Sequence, residues 1–228
     1  MQPPLLSTQG LGLQIEDRWL LKGLNLSLNP GSFVAITGSS GSGKTTLLRT
    51  LAGEITPANG NIENQLDSPT KLAMICQDLQ LADGATALTN VLSGSLGRHS
   101  FISTLWRFPP DERKEASRLL SLFGLAEKED QWTSTLSRGE RQRVAACRTL
   151  ITRPLLLLAD EPVSSLDPFW AHQVLSNLKS TIIKRKGCLV CALHNDEQVE
   201  EFADTILRLD STNPEGWKIE TQKLGIES

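Results

Sequence analysis

The sequence predicts an α/β fold: a parallel core sheet with helices on its faces, and a helical subdomain inserted across residues 81–150. Three observations predict it. Strand-length apolar runs alternate with helix-period segments at both ends of the chain, as in parallel sheets whose strands are buried on both faces. Between residues 81 and 150 the pattern changes to helical spacing. Third, Gly38-Ser39-Ser40-Gly41-Ser42-Gly43-Lys44-Thr45 sits between a strand-like run and a helix-like one, with glycines placed to wrap backbone around an anion.

Element by element, the opening reads as short strands around Leu11 to Ile15 and Leu24 to Leu28. Asn29-Pro30-Gly31 turns the chain into the apolar run Phe33 to Ile36. Thr45 to Leu51 then reads as an amphipathic helix. Residues 54–71 are polar and rich in Asn, Pro and Gly, with strand signal only at Asn61-Ile62-Glu63. Leu72 to Cys76 is the next buried strand. In the helical stretch, Ala116, Leu119, Leu120 and Phe123 fall on one face of a segment from Asp111, Pro109-Pro110 marks its entry, and Gly124 is its C-cap. After residue 150 come a strand at Leu155 to Ala159, a helix from about Pro168 to Lys184, and a strand at Cys188 to Leu193. A helix from Asn195 to Phe202 and a strand from Thr205 to Leu209 follow.

Composition narrows the function classes. A chain of 228 residues with 23 basic and 26 acidic side chains has net charge −3, no bias toward nucleic acid or anionic lipid. No apolar run approaches the roughly 20 residues of a membrane helix. Met1 to Leu6 lacks the basic and apolar regions of a signal peptide, so a cytosolic chain is expected. Cys188 and Cys191 have C-x-x-C spacing, but on a strand positions three apart face opposite ways. Reduced core thiols follow.

Two motifs carry chemistry. In the glycine-rich loop, backbone N–H groups and the helix N-terminus cradle a polyphosphate, Lys44 reaches its terminal phosphates, and the Thr45 hydroxyl takes Mg²⁺. The run Leu155-Leu156-Leu157-Leu158-Ala159-Asp160-Glu161 delivers two carboxylates to the C-terminal edge of a parallel sheet, where ligands bind. Asp160 suits Mg²⁺, and Glu161 can polarise an attacking water. Ser137 and Glu140 form a Ser-x-x-Glu capping box that starts a helix, with Gly139 permitting close backbone approach.

Leu136-Ser137-Arg138-Gly139-Glu140-Arg141-Gln142-Arg143, lying shortly before the acidic strand, resembles the signature sequence of ATP-binding-cassette (ABC) ATPases, a group within the P-loop NTPases. Gln77 then matches the family's Q-loop glutamine, a further Mg²⁺ ligand that senses the membrane partner. Ser164-Ser165-Leu166-Asp167 resembles the D-loop, with Asp167 its acidic residue, and His194 matches the switch histidine at the γ-phosphate. The resemblance implies one ABC ATPase domain over 1–228. Residues 1–80 and 151–228 form the nucleotide-binding core, 81–150 the helical subdomain, and a small antiparallel β region completes the fold. The 32 residues between Lys44 and Gln77 leave that region short.

The same resemblance implies ATP and Mg²⁺ as cofactors. ATP contacts residues 38–46, including Thr46, and Gln77, while Glu161, His194 and Lys44 are catalytic. Thr45, Gln77 and Asp160 hold the metal, and Ser137, Arg138, Gly139 and Glu140 face ATP bound to a second subunit. It also implies a head-to-tail dimer, transmembrane permease subunits, an extracytoplasmic solute-binding protein acting indirectly, no nucleic acid, and a peripheral place on the cytoplasmic face of the cell membrane.

Two departures stand out. Arg138 and Glu140 replace the signature's first glycine and its glutamine, so a carboxylate is expected near an anion. The adenine-stacking aromatic is missing: Ile15 falls at that position, nearby Trp19 is the candidate substitute, and the chain has no tyrosine. Asn90 to Arg98, Trp106, Ala159 to Pro168 and Leu193-His194 are most similar to the ATPase subunit of phosphonate- and phosphite-type importers. Amino-acid importers, a lipoprotein-releasing exporter, a soluble non-transport ABC ATPase and a non-ABC P-loop enzyme are the alternatives.

Overall fold

Strands β1 (Leu6–Ile15) and β2 (Arg18–Leu28) form an antiparallel hairpin in the computed structural model, which describes residues 2–98 and 108–222. Trp106 lies outside the described residues. Both strands are longer than the expected segments. The pairing shifts register between Thr8 and Leu11 and again between Leu11 and Leu13, and such bulges break the period of two that marks a strand in sequence. Leu6, Leu11 and Leu13 face Leu21, Leu24, Leu26 and Leu28 in one buried layer. A third strand, β4 (Asn59–Asn64), joins the free side of β1, giving the small antiparallel sheet β2-β1-β4.

The second sheet has six strands in the order β5-β6-β7-β3-β8-β9: β3 (Phe33–Thr37), β5 (Leu72–Ile75), β6 (Leu156–Asp160), β7 (Cys188–Ala192), β8 (Thr205–Arg208) and β9 (Lys218–Thr221). All pairs are parallel except β8–β9. Side chains alternate between two apolar layers. Phe33, Ala35, Leu157, Ala159, Leu189 and Cys191 point one way; Val34, Ile36, Leu156, Leu158, Cys188 and Val190 point the other. Cys188 and Cys191 are therefore free thiols on opposite faces, and burial pushes Cys188 up to about 12. Strand β9 has no sequence signal because all four of its side chains are exposed.

The hairpin layer also covers α1 (Lys44–Leu51). The opposite layer carries α2 (Ala87–Ser93), α3 (Pro110–Leu122) and α4 (Arg138–Leu150), with α5 (Pro168–Lys184) and α6 (Asp196–Phe202) packed against it. Ala116, Leu119, Leu120 and Phe123 are fully buried, as the helical spacing predicts. Gly124 (φ 69°) ends α3: its N–H bonds the Ser121 carbonyl, and Leu125 N–H bonds Leu120. Asn90 staples the start of this region, bonding Ala82 through both amide atoms and Thr133 through Nδ2 at 2.8 Å.

Helices α2 and α4 approach as closely as they do because residue 94 has no side chain. A Cβ on Gly94 would lie 2.1 Å from the Arg148 carbonyl oxygen and 2.8 Å from Ile151. Gly94→Ala is expected to destabilise the chain by about 1–3 kcal/mol, the usual cost of overpacking. The midpoint of urea unfolding measures it; an unchanged midpoint would show that α2 shifts freely.

Candidate functional site

The loop between β3 and α1 takes the path that glycine allows. Gly38, Gly41 and Gly43 have φ of 147°, 76° and 97°, and a Cβ on Gly38 would stand 2.6 Å from the buried Ser42 hydroxyl. Lys44, 7% exposed, folds back over the loop and donates to the carbonyls of Gly38 (2.7 Å) and Ser39 (3.2 Å). Burial pulls its pKa down, while the carboxylates of Glu161 and Asp160 oppose that fall. Ser39 bonds Ser211 at 2.8 Å.

A cavity of about 530 Å³ opens over this loop at the C-terminal edge of the parallel sheet. Ser40, Gly41, Gly43, Lys44, Thr45 and Thr46 form its floor, and Gln77, Glu161 and His194 close one side. Gly38 borders an adjoining cavity that also reaches His194. Glu161 Oε1 and His194 Nε2 are hydrogen-bonded, so the carboxylate is already oriented by the ring at the end of the next strand. Glu161 stands at φ 51°, a conformation uncommon outside glycine and found where surroundings hold it in place.

Asp160 lies behind this wall, 2% exposed. Burial raises its pKa, and a hydrogen bond from the Thr45 side chain works against that rise. Thr45 and Gln77 line both the first cavity and a second one that holds Asp160 and Arg138. A threonine hydroxyl, a glutamine amide and a carboxylate thus line one cavity. All three are hard oxygen donors, which suits Mg²⁺. The loop after Gln77 is tied to α4 by Arg148, whose guanidinium donates to the carbonyls of Leu79 and Gln80.

The far end of the first cavity corrects one expectation. Ile15, 51% exposed, does line it, together with Glu16, Arg18 and Leu20. Trp19 does not. Alternation along β2 sends Trp19 to the other face, where it packs on Gly12 beneath the Lys22 ammonium at 4.7 Å. This end of the site is therefore aliphatic and charged, without a ring.

The Ser137 segment stands apart from that cavity. Ser137 caps α4 in a full capping box: Glu140 N–H donates to Ser137 Oγ (3.2 Å) and Ser137 N–H donates to Glu140 Oε2 (2.8 Å). The bond from Ser137 N–H, seconded by Lys128 at 3.6 Å, lowers the Glu140 pKa, so the carboxylate stays ionised and is held in the cap. Gly139 packs on Ser165 and Leu166, and Asp167 caps α5 by accepting from Trp170 N–H at 3.0 Å. Sequence reasoning gave no role to Gln142 within the signature-like segment, yet its side chain bridges the backbones of Glu161 and Ser165. Its signals are its place in that segment and a polar residue among the buried positions of α4.

The sequence profile of the ABC transporter family matches residues 21–164. The phosphonates import ATP-binding protein PhnC of Bdellovibrio bacteriovorus is 41% identical over 204 residues, covering 83% of this chain and 78% of that protein. PhnC 1 of Natronomonas pharaonis is 39% identical over 208 residues, covering 90% and 89%. Among solved structures, a bacterial ABC transporter cassette determined as a dimer superposes with a TM-score of 0.79 at 26% identity. It covers 95% of this chain and 98% of its own. The same cassette in a post-hydrolysis state with ADP and Pi superposes equally well. With the glycine loop, the paired carboxylates and His194 converging on one sheet edge, the chain belongs to the ABC transporter family and is an ATP-binding, ATP-hydrolysing cassette.

Proposed function

We propose that this chain is the ATPase subunit of a phosphonate- or phosphite-type importer, with Glu161 as the base that activates the hydrolytic water. The observation that carries the chemistry is the meeting of Lys44, Glu161 and His194 in one cavity. Loop N–H groups bind the β- and γ-phosphates, and Lys44 exchanges its bonds to Gly38 and Ser39 for phosphate oxygens. Thr45, Gln77 and Asp160 would hold Mg²⁺, which when bound would neutralise charge on the phosphates. Glu161 takes the proton of the attacking water, and His194 holds the carboxylate while its ring faces the γ-phosphate.

A second copy supplies Ser137, Arg138, Gly139 and Glu140 to the other side of the nucleotide, with the Asp167 turn alongside. Residues 1–80 and 151–228 act as the core and 81–150 as the helical subdomain. No helix among the described residues is long and apolar enough to cross a membrane. Transport therefore needs permease subunits, against which the pair works peripherally at the cytoplasmic face, and an extracytoplasmic binding protein delivers the solute. The names of relatives 34–41% identical support the cargo. Co-purification of the assembly tests it: calorimetry should find the binding protein preferring phosphonate or phosphite. Preference for an amino acid would overturn the cargo.

The ring-free end of the site makes a prediction of its own. Ile15→Tyr adds an aromatic face where the base would lie, and aromatic stacking contributes about 1 kcal/mol. ATP should bind about fivefold tighter by calorimetric titration. Unchanged or weaker binding would place the base elsewhere.

A further inference from the structure

Gln142 lies on α4 five residues after the Ser137 cap and is only 5% exposed. Its amide is used at both ends: Nε2 donates to the Glu161 carbonyl oxygen at 2.8 Å, and Oε1 accepts from Ser165 N–H at 3.2 Å. Glutamine suits this place because one planar group both donates and accepts. The two backbone groups belong to the turn that follows Asp160, whose internal bonds are Ser164 N–H to Glu161 (3.3 Å) and Leu166 N–H to Val163 (3.1 Å). Glu161, at φ 51°, needs such outside support to keep its uncommon backbone conformation.

Neighbouring contacts make α4 a firm platform for that support. Arg143 stacks on the Trp170 ring at 3.9 Å and donates to the Phe123 carbonyl at 2.8 Å. Gly139, one turn earlier, lies so close to the same turn that a Cβ there would stand 3.0 Å from Leu166.

We infer that Gln142 is a positioning residue for hydrolysis: it ties the helix that presents Ser137 to the backbone of Glu161, so the aim of the Glu161 carboxylate follows the position of α4. It acts through Glu161 and does not touch the nucleotide. The inference rests on the proposed role of Glu161 as base. A helix shifted by a second copy at Ser137 would thereby re-aim the base in the same molecule.

Two variants of the full chain test this. Gln142→Met keeps length and volume but removes both hydrogen bonds. Its kcat should fall roughly 10- to 100-fold, the scale of a slight misplacement of a reacting group. Its Kd for a non-hydrolysable ATP analogue should stay within about twofold of wild type, separating positioning from binding. Gln142→Glu keeps the acceptor for Ser165 but sets an ionised carboxylate against the Glu161 carbonyl. Its kcat relative to wild type should recover as pH falls toward the glutamic acid range, because a protonated carboxyl can donate where the amide did. Wild-type turnover by Gln142→Met, or a variant-to-wild-type ratio that stays flat with pH, would overturn the inference. So would loss of folding or ATP binding in both variants, which would make Gln142 a residue of stability only. Glu161→Gln in the same assay separates the two ideas. Turnover retained there removes the role of Glu161; a dead Glu161→Gln beside a normal Gln142→Met removes only the role of Gln142.

Discussion

Glu161→Gln is expected to lower steady ATP turnover by at least about 10²-fold, the ordinary weight of the positioned general base proposed for this residue. The amide fills the same volume and can still bond His194, so the variant loses the proton acceptor without losing the local geometry. Nucleotide binding persists because Lys44 and the glycine loop are untouched. A chain that binds ATP and cannot hydrolyse it should accumulate as a closed dimer. Size-exclusion chromatography with ATP reads that directly, beside a phosphate-release assay. Turnover close to wild type would remove Glu161 from the chemistry.

Lys44→Met removes the cation proposed to face the phosphates, and hydrolysis is expected to fall about 10²- to 10³-fold, as when a preorganised charge-stabilising donor is lost. Here ATP binding weakens as well, which distinguishes it from Glu161→Gln in the same titration. Stability should move differently. Burial lowers the Lys44 pKa from the ordinary 10.5, so on raising pH the folded chain releases this proton before the unfolded chain does. The unfolded state then binds more protons, and stability contributed at this site rises with pH between the folded value and 10.5. In Lys44→Met that alkaline gain is absent. Urea unfolding across the alkaline range checks it; identical profiles would mean the ammonium stays solvated when folded.

Much of the architecture was legible along the chain because its buried strands are short, apolar and set between glycine, proline and helix-period segments. Strands β3, β5, β6 and β7 and helix α5 fall at or within a residue or two of their expected places. The antiparallel sheet was less legible: bulges in β1 shift its pattern, and Asn59–Asn64 becomes a strand by pairing with β1 rather than by apolar content. Strand β9, fully exposed, owes its place to its ladder with β8.

The candidate site divides along the same line. Residues 38–46, Asp160-Glu161 and the Ser137–Glu140 cap could be named because each is a local pattern of backbone geometry, charge and spacing. Local pattern also determined that Cys188 and Cys191 do not pair, since strand alternation alone separates them. Only the tertiary structure decided that Trp19 turns away from the cavity, that Lys128 stands beside Glu140, and that Gln142 reaches Glu161. The physical reason is sequence distance. Periodicity reports which way a side chain faces on its own element. Which partner it meets depends on how elements far apart in the chain are stacked and registered.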